Sequence, residues 1–451
     1  MKTYQDYEQS QNKINFILDA INDFKGTLDY SRALTAKLYF EGENSEILSR
    51  RKMFYGKDRK AREDLFKANN RIPSDFFSKI VKQEVSYLLA NGLVTEDKIK
   101  KKLGKKFDLK LKRIATEACV SKTGWGYAYI NNKGEFDMAT FDFLELVPLF
   151  DERTGALRAA IRFYQIDSEK PMWIEFYTEQ GVVEFKNYKS KITQVSELKP
   201  YILKSKTDIT GEVIVGSDNW SQLPIIPLYC NDSKTSRFKT SLKNKIDLFD
   251  IVLSDFGNNL EDSQDVYWVL KNYQGQDIEE FLEDFKYYKS LKVDEDGEAT
   301  PHTIEIPYEA RKVALEILKK QIYDDSMALD TSILAGGSLT NVAIKANMMD
   351  LDLKTDDLEA GCIDFCEDII KLCMEFYNMN LDYQINFIRN KLIDETETID
   401  NLVKSLSSGM LSIETAMTRN PFVEDVKKEL DLVDTENLKM YGQEEIVEEE
   451  Q

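Results

Sequence analysis

A single histidine, His302, in a chain of 451 residues removes most of the usual catalytic and metal-binding designs. A histidine-based triad or a two-histidine metal site would have to pivot on this one residue, which follows Pro301 in a short stretch of β-like pattern. Cysteine is scarce too: Cys119, Cys230, Cys362, Cys366 and Cys373 are odd in number and lack the spacing of a disulfide framework, which fits a reducing compartment. Cys362, Cys366 and Cys373 share one helical stretch, and Cys362 falls on its apolar stripe, so small core residues are the expectation over metal ligands. No apolar run approaches the length that crosses a bilayer, and 1–20 is too polar and interrupted for a signal peptide. The reading is a soluble chain with no membrane partner.

Positive charge is in deficit. The 60 Lys and Arg stand against 80 Asp and Glu, a net charge of -20, which excludes tight, broad, non-specific binding of nucleic acid. It leaves room for a wall that a polyanion slides past. Nucleotide and calcium motifs are absent: AGGSLTN has adjacent glycines without GxxxxGK[ST], and VDEDGEAT lacks the spaced oxygen ligands of a calcium loop. Asp296 and Gly297 within it read as a hairpin turn. No cofactor is expected. A nuclease assembled from distant carboxylates remains conceivable, supported only by the abundance of acidic residues.

What is present is a mixed α+β chain, mainly helical. Over 73–89, Phe76, Phe77, Ile80, Val81, Val85, Leu88 and Leu89 recur at helical spacing. A basic cluster at 98–113 holds nine Lys or Arg against Asp108. It reads as the solvated face of a short helix pair, or as a nucleic-acid or partner-binding patch. From 124 to 227 short alternating runs predict an antiparallel sheet region: GWGYAYI, EFDMATF, then 156–166, 172–177 and 182–188. Long helices follow. One starts at Ser241 with a stripe of Leu242, Ile246, Phe249, Leu253, Phe256 and Leu260, while Lys243, Lys245, Asp247, Asp250 and Asp255 take other faces. A second, over 307–329, carries Val313, Ile317, Leu318 and Ile322. A third starts near Thr355 with Leu358, Cys362, Phe365, Ile369, Leu372 and Phe376. Between the first two lies a small α+β insertion. The C-terminal part is helical with a break at Gly409, and the chain ends in an acidic tail.

Several strings, in order and spacing, resemble the portal proteins of long-tailed phages related to the Bacillus phage SPP1 family: LYFEGENSEIL, NNRIPSDFFSKIVKQEVSYLLANGLV, GWGYAYINNKGEFDMATFDFLELVPLFDE, LPIIPLYCNDSKTSRFKTSLKNKIDLFDIVLSDFGNNLEDSQDVYWVL, SLTNVAIKANMMDLDLK and GMLSIETAMTRNPFVED. The resemblance implies a portal fold of wing, stem, clip and crown, assembled as a ring around an axial channel, usually of twelve subunits in the virion. It divides the chain into wing (1–236), stem helix (237–264), clip (265–306), second stem helix (307–329), tunnel loop (330–346), long wing or channel helix (347–380), crown (381–432) and acidic tail (433–451).

The implied function is the DNA entry and exit channel at one capsid vertex, without catalysis. The implied partners are the terminase large subunit, a head-completion or adaptor protein, scaffolding and major capsid proteins, and double-stranded DNA held weakly and non-specifically. The implied location is the virion, after assembly in the host cytoplasm. The nearer alternative is a head-tail or scaffold-type structural protein that never lines a channel. On this mapping Gly336, Gly337, Ser338, Thr340, Asn341 and Lys345 are the DNA-channel candidates, although Ser338 is followed by Leu339 where the family often has Gly. Tyr267, Trp268, Phe281, Phe285 and Tyr288 are the clip-interface candidates. Lys100, Lys101, Lys102, Lys105 and Lys106 are candidates for an outward wing surface that meets an acidic scaffolding or capsid partner.

Overall fold

The computed structural model describes residues 2–435 apart from 56–58, 65–66, 190, 208–212, 263–266, 272–297, 303–307, 333–340, 391–394, 421–422, 424–425, 427 and 434. The chain forms two compact units, one of residues 1–328 and 354–388, the other of 329–353 and 389–451.

The first unit opens with helices α1 (Tyr4–Gln9), α2 (Lys13–Lys25), α3 (Leu28–Phe40) and α4 (Ser45–Ser49). Asn12 and Thr27 cap α2 and α3, their side-chain oxygens accepting from Asn15 and Tyr30 backbone amides. The short ladder of β1 (Met53–Tyr55) and β2 (Ala61–Glu63) precedes α5 (Phe76–Leu89). After β3 (Leu93–Val94) come α6 (Asp97–Leu103) and α7 (Phe107–Ser121).

The predicted sheet region is present. Strands β4 (Gly124–Ile130) and β5 (Phe136–Phe141) form a hairpin. Next is a five-stranded antiparallel meander of β6 (Leu146–Phe150), β7 (Leu157–Tyr164), β8 (Met172–Thr178), β9 (Gly181–Tyr188) and β10 (Lys191–Gln194). The sequence did not flag β6, because Pro148 lies within it. That strand is an edge, paired only with β7, the position in a sheet where proline is tolerated. β11 (Ile202–Thr207) pairs with β12 (Val213–Asp218), and β13 (Ile225–Leu228) joins β4.

Three apolar cores hold this unit together. Phe16, Ile17, Ala20, Ile21 and Phe24 of α2 press onto one face of the meander. Trp125, Phe141 and Tyr177 lie between the meander and the β13–β4–β5 sheet. The largest core gathers α5, α7 and the buried stripe of a long C-terminal helix, including Leu358, Cys362, Phe365, Ile369 and Leu372. All five cysteines are buried and unbridged. Gly361 permits a close approach here, since a Cβ at that position would run into the Tyr229 carbonyl.

Helix α8 (Thr240–Asp262) and helix α9 (Tyr308–Asp325) pack together, with the ladder of β14 (Tyr267–Lys271) and β15 (Glu298–His302) between them in sequence. Helix α9 ends at Asp325 rather than 329, as Met327 turns into the left-handed region. Helix α10 runs from Asn341 to Tyr377 as one element, so the start expected near Thr355 is corrected to Asn341. No Gly or Pro interrupts 341–360, and nothing in that stretch breaks a helix. It follows that 341–346, the end of the segment assigned to the tunnel loop, is helical.

β16 (Asn386–Phe387) pairs with β3, which keeps 381–388 with the first unit although the sequence assigned it to the crown. In the second unit, α11 (Glu395–Ser407) and α12 (Ile413–Thr418) flank Gly409, whose φ of 72° and bond to the Leu406 carbonyl end α11. Ser412 caps α12. Arg389 bonds Asp352 at 3.0 Å in the same unit.

Candidate functional site

Helix α8 does not sit as its stripe predicts. Leu242 and Ile246 are buried, but Phe249, Leu253 and Phe256 are only partly covered and Leu260 is 49% exposed, while Asp247, Asp250, Ser254 and Asn258 are buried. These four polar residues recur at three- and four-residue steps, which puts them on one face.

Described residues between 39 and 72 bond each of these four side chains, although Asp250 Oδ1 has no hydrogen-bond partner among the described residues. The Tyr39 hydroxyl donates to Asp247, which also pairs with Lys243 at 2.6 Å. The Asn44 side-chain amide donates to Asp250 at 2.5 Å. The backbone amide of Ile72 donates to Ser254 Oγ at 3.0 Å, and that of Asn70 to Asn258 Oδ1 at 2.6 Å. Arg50 and Lys52 both hold Asp255, at 3.2 and 2.6 Å, and Asn70 also reaches Glu261. A helix fastened by a polar ladder keeps one rotation and one register, because any slip strands buried polar groups.

Charge in the ladder follows its surroundings. Burial, only partly offset by the hydrogen bond from Asn44, pushes the Asp250 carboxyl up to about 6. Burial and the Asp247 carboxylate push the Tyr39 hydroxyl up to about 12. Burial also opposes ionisation of Asp255, but Lys52 and Arg50 outweigh it and hold that carboxyl below its usual range.

Where α8 begins, the fastening is ionic. Glu84 of α5 is fully buried, and its Oε1 accepts from Arg237 at 2.6 and 3.1 Å. Lys354 Nζ lies 3.0 Å from Glu84 Oε2. Arg237 also donates to the carbonyls of Cys230 and Lys354, both at 3.0 Å. Burial works against the Arg237 charge, but Glu84 more than compensates and its pKa is raised. One guanidinium therefore ties α5, the strand-exit loop and α10 to the start of α8. Sequence reasoning missed Glu84, and the signal was available: it falls four residues after Ile80 and four before Leu88, on the buried stripe. The same test, applied four residues after Ile246, finds Asp250.

Helix α9 is fastened differently. It buries Ile322 and Tyr323, sets Tyr308 5.8 Å from Phe256 in a tilted contact and Tyr323 5.9 Å from Phe76, and pairs Asp325 with Lys245. Val313 and Ile317, one turn apart, are 49% and 52% exposed, and Leu248 of α8 is 48% exposed. These form apolar surface on long helices that the subunit leaves uncovered.

The sequence-derived candidates separate. Lys100 is partly covered, its Nζ bonding both Asp108 oxygens at 2.6 and 2.7 Å and the Leu93 carbonyl at 2.7 Å, while Asp108 also accepts the Leu93 amide. Lys101, Lys102, Lys105 and Lys106 are exposed, with Lys102 4.1 Å above the Tyr377 ring. Tyr267 and Trp268 are in β14, opposite His302 and Pro301. Phe281, Phe285 and Tyr288 lie outside the described residues, as do Gly336, Gly337, Ser338, Thr340 and the turn at Asp296 and Gly297. Asn341 and Lys345 belong to the first turns of α10. Among the described residues no group of three or more His, Cys, Asp or Glu is placed to hold a metal ion, and no described helix is long and apolar enough to cross a membrane.

A sequence model of phage portal proteins, SPP1 Gp6-like, matches residues 5–439. The portal protein of Clostridium phage phiCD119 is 29% identical over 430 residues, covering 88% of this chain and 90% of the relative. The portal protein of Bacillus phage SPP1 is 27% identical over 427 residues, covering 88% of this chain and 82% of the relative. Among solved structures, a chain from the virion of a native gene transfer agent particle aligns at 8% identity with a TM-score of 0.48, over 87% of this chain and 93% of that one. A chain from the neck of an empty particle of the same kind aligns at 9% identity with a TM-score of 0.43, over 76% and 89%.

Proposed function

The chain belongs to the SPP1 Gp6-like family of phage portal proteins, and we propose that it assembles as a closed ring at one capsid vertex, with α8 and α9 as the stem around a DNA channel. Portal proteins are structural and non-catalytic, so the activity to be explained is geometric. The observation that carries the reading is the uncovered apolar surface of Val313 and Ile317 beside a helix whose other face is locked by the ladder. A subunit that fixes one stem helix internally and offers the next to a neighbour repeats by rotation, and a rotation that closes gives a ring.

In this reading 1–236 is the wing, 237–264 and 307–329 the stem, 265–306 the clip, 330–346 the segment nearest the DNA, 347–380 the long helix crossing the ring and 389–432 the crown. The clip docks the terminase large subunit during packaging and a head-completion protein afterwards, through aromatic side chains including Tyr267 and Trp268. The channel candidates, with Lys345 as the one cation, touch duplex phosphate weakly, as passage demands. Lys101, Lys102, Lys105 and Lys106 face scaffolding or capsid protein. Negative-stain images of purified protein test the assembly: rings with an axial opening are expected. Removing 265–306 is expected to abolish terminase binding; normal packaging with that deletion would refute the clip assignment.

A further inference from the structure

Two adjoining chambers open on the first unit. The first, about 340 Å3, lies at the start of α8 and is lined by Arg32, Lys122, Lys234 and Lys239 with one carboxylate, Asp29. The second, about 310 Å3, is lined by aromatic and apolar side chains, including Phe24, Phe143, Phe150 and Trp125. Asp29, Lys122 and Lys234 belong to both linings, so the chambers share a wall. That wall is an ion pair, with Lys122 Nζ 2.5 Å from Asp29 Oδ2.

Three features mark the cleft as built for an occupant. Lys122 adopts a φ of 96°, in the region that residues with a Cβ avoid, and strain of this kind persists where surrounding structure enforces it. Each chamber is lined by a residue with a buried polar atom that lacks a partner among the described residues: Ser121 Oγ in the cationic one and Trp125 Nε1 in the apolar one. Both residues are at most 2% exposed, so each atom lacks water and protein alike. The cationic lining, four basic groups against one acid, also runs against a chain of net charge -20.

We infer that this cleft binds an acidic peptide segment of an assembly partner, seating an aromatic or large aliphatic side chain in the Trp125 chamber and carboxylates in the Lys234–Lys239 chamber. Charge complementarity selects an acidic occupant. The apolar chamber selects a peptide over nucleic acid, because a phosphate backbone has nothing to fill it. The inference is independent of the ring, since all its residues belong to one subunit.

The probe is a fluorescein-labelled Glu-Glu-Phe-Glu-Glu amide, titrated into the full-length protein and followed by anisotropy. Saturable binding is expected. Exchanging the peptide's Phe for Ser should weaken it about 10-fold, the effect of losing one buried aromatic side chain. The exposed double substitution Lys234→Glu with Lys239→Glu should weaken it roughly 10-fold or more. Absence of saturable binding would overturn the inference. So would equal binding of the Ser peptide, or displacement by duplex DNA with no effect of the Phe, which marks a plain cationic patch. A changed assembly mass in the Lys234→Glu and Lys239→Glu protein would assign the cleft to a second copy of the chain, and would overturn it as well.

Discussion

Helices α8 and α9 pack against each other and carry similar mixtures of charged and apolar residues, yet they are held by opposite means. Helix α8 buries Asp247, Asp250, Ser254 and Asn258 against the segment 39–72 and begins on the Glu84–Arg237–Lys354 cluster. Helix α9 buries Ile322 and Tyr323 at one end and leaves Val313 and Ile317 half in water. Polar burial gives little net stability but strong specificity of position; exposed apolar surface gives no position until a neighbour covers it. The pair therefore divides labour between a helix fixed within the subunit and a helix available between subunits.

The comparison breaks most visibly at Glu84. In Glu84→Ala two buried cations lose their only carboxylate of full burial, and the subunit should lose about 3–5 kcal/mol in chemical denaturation. A loss below about 1 kcal/mol would mean that water reaches Arg237 and that α8 is not pinned there.

A smaller effect is expected from Asp250, and it depends on pH. Its folded carboxyl titrates near 6 against an ordinary 3.8, so the folded state favours the proton. The stability it contributes is complete below about pH 4 and is lost as pH rises through about 6, an effect on the order of 3 kcal/mol. Asp250→Asn keeps an acceptor for Asn44 and removes the charge. The thermal midpoint of Asp250→Asn relative to wild type should rise between pH 4 and pH 7; a difference that is flat with pH would remove the buried carboxyl from the account.

How far these features could be read in advance depended on whether a pattern was local. The helices and the 124–227 sheet region follow from apolar spacing, and Cys362 was correctly placed on a buried stripe. The resemblance of strings such as GWGYAYINNKGEFDMATF identified the family. The polar ladder was hidden because spacing ranks residues by type: Asp247 and Asp250 read as solvent-facing when considered on their own helix. Their partners Tyr39 and Asn44 are roughly two hundred positions away, and no local rule pairs residues at that distance. The ion pair of Lys100 was hidden for a similar reason, since a lysine among lysines reads as surface until Asp108 and the Leu93 carbonyl are seen to converge on it.

That ion pair sharpens the contrast on a smaller scale. Lys100→Ala leaves Asp108 without its cation and should destabilise the subunit by about 1 kcal/mol or more. Lys101→Ala and Lys105→Ala should each fall within about 0.5 kcal/mol of wild type. Equal losses at all three positions would erase the distinction between the partly covered lysine and the exposed ones.

The division of labour between α8 and α9 is tested most directly by the assembly mass of the Val313→Ser, Ile317→Ser protein. Exposed positions contribute little within a subunit, so its monomer should unfold within about 1 kcal/mol of wild type. Mass photometry should give a single closed multimer for the wild type and mostly free subunits for the double variant. A variant that assembles to the wild-type mass, or a wild type that remains monomeric at micromolar concentration, would contradict the account.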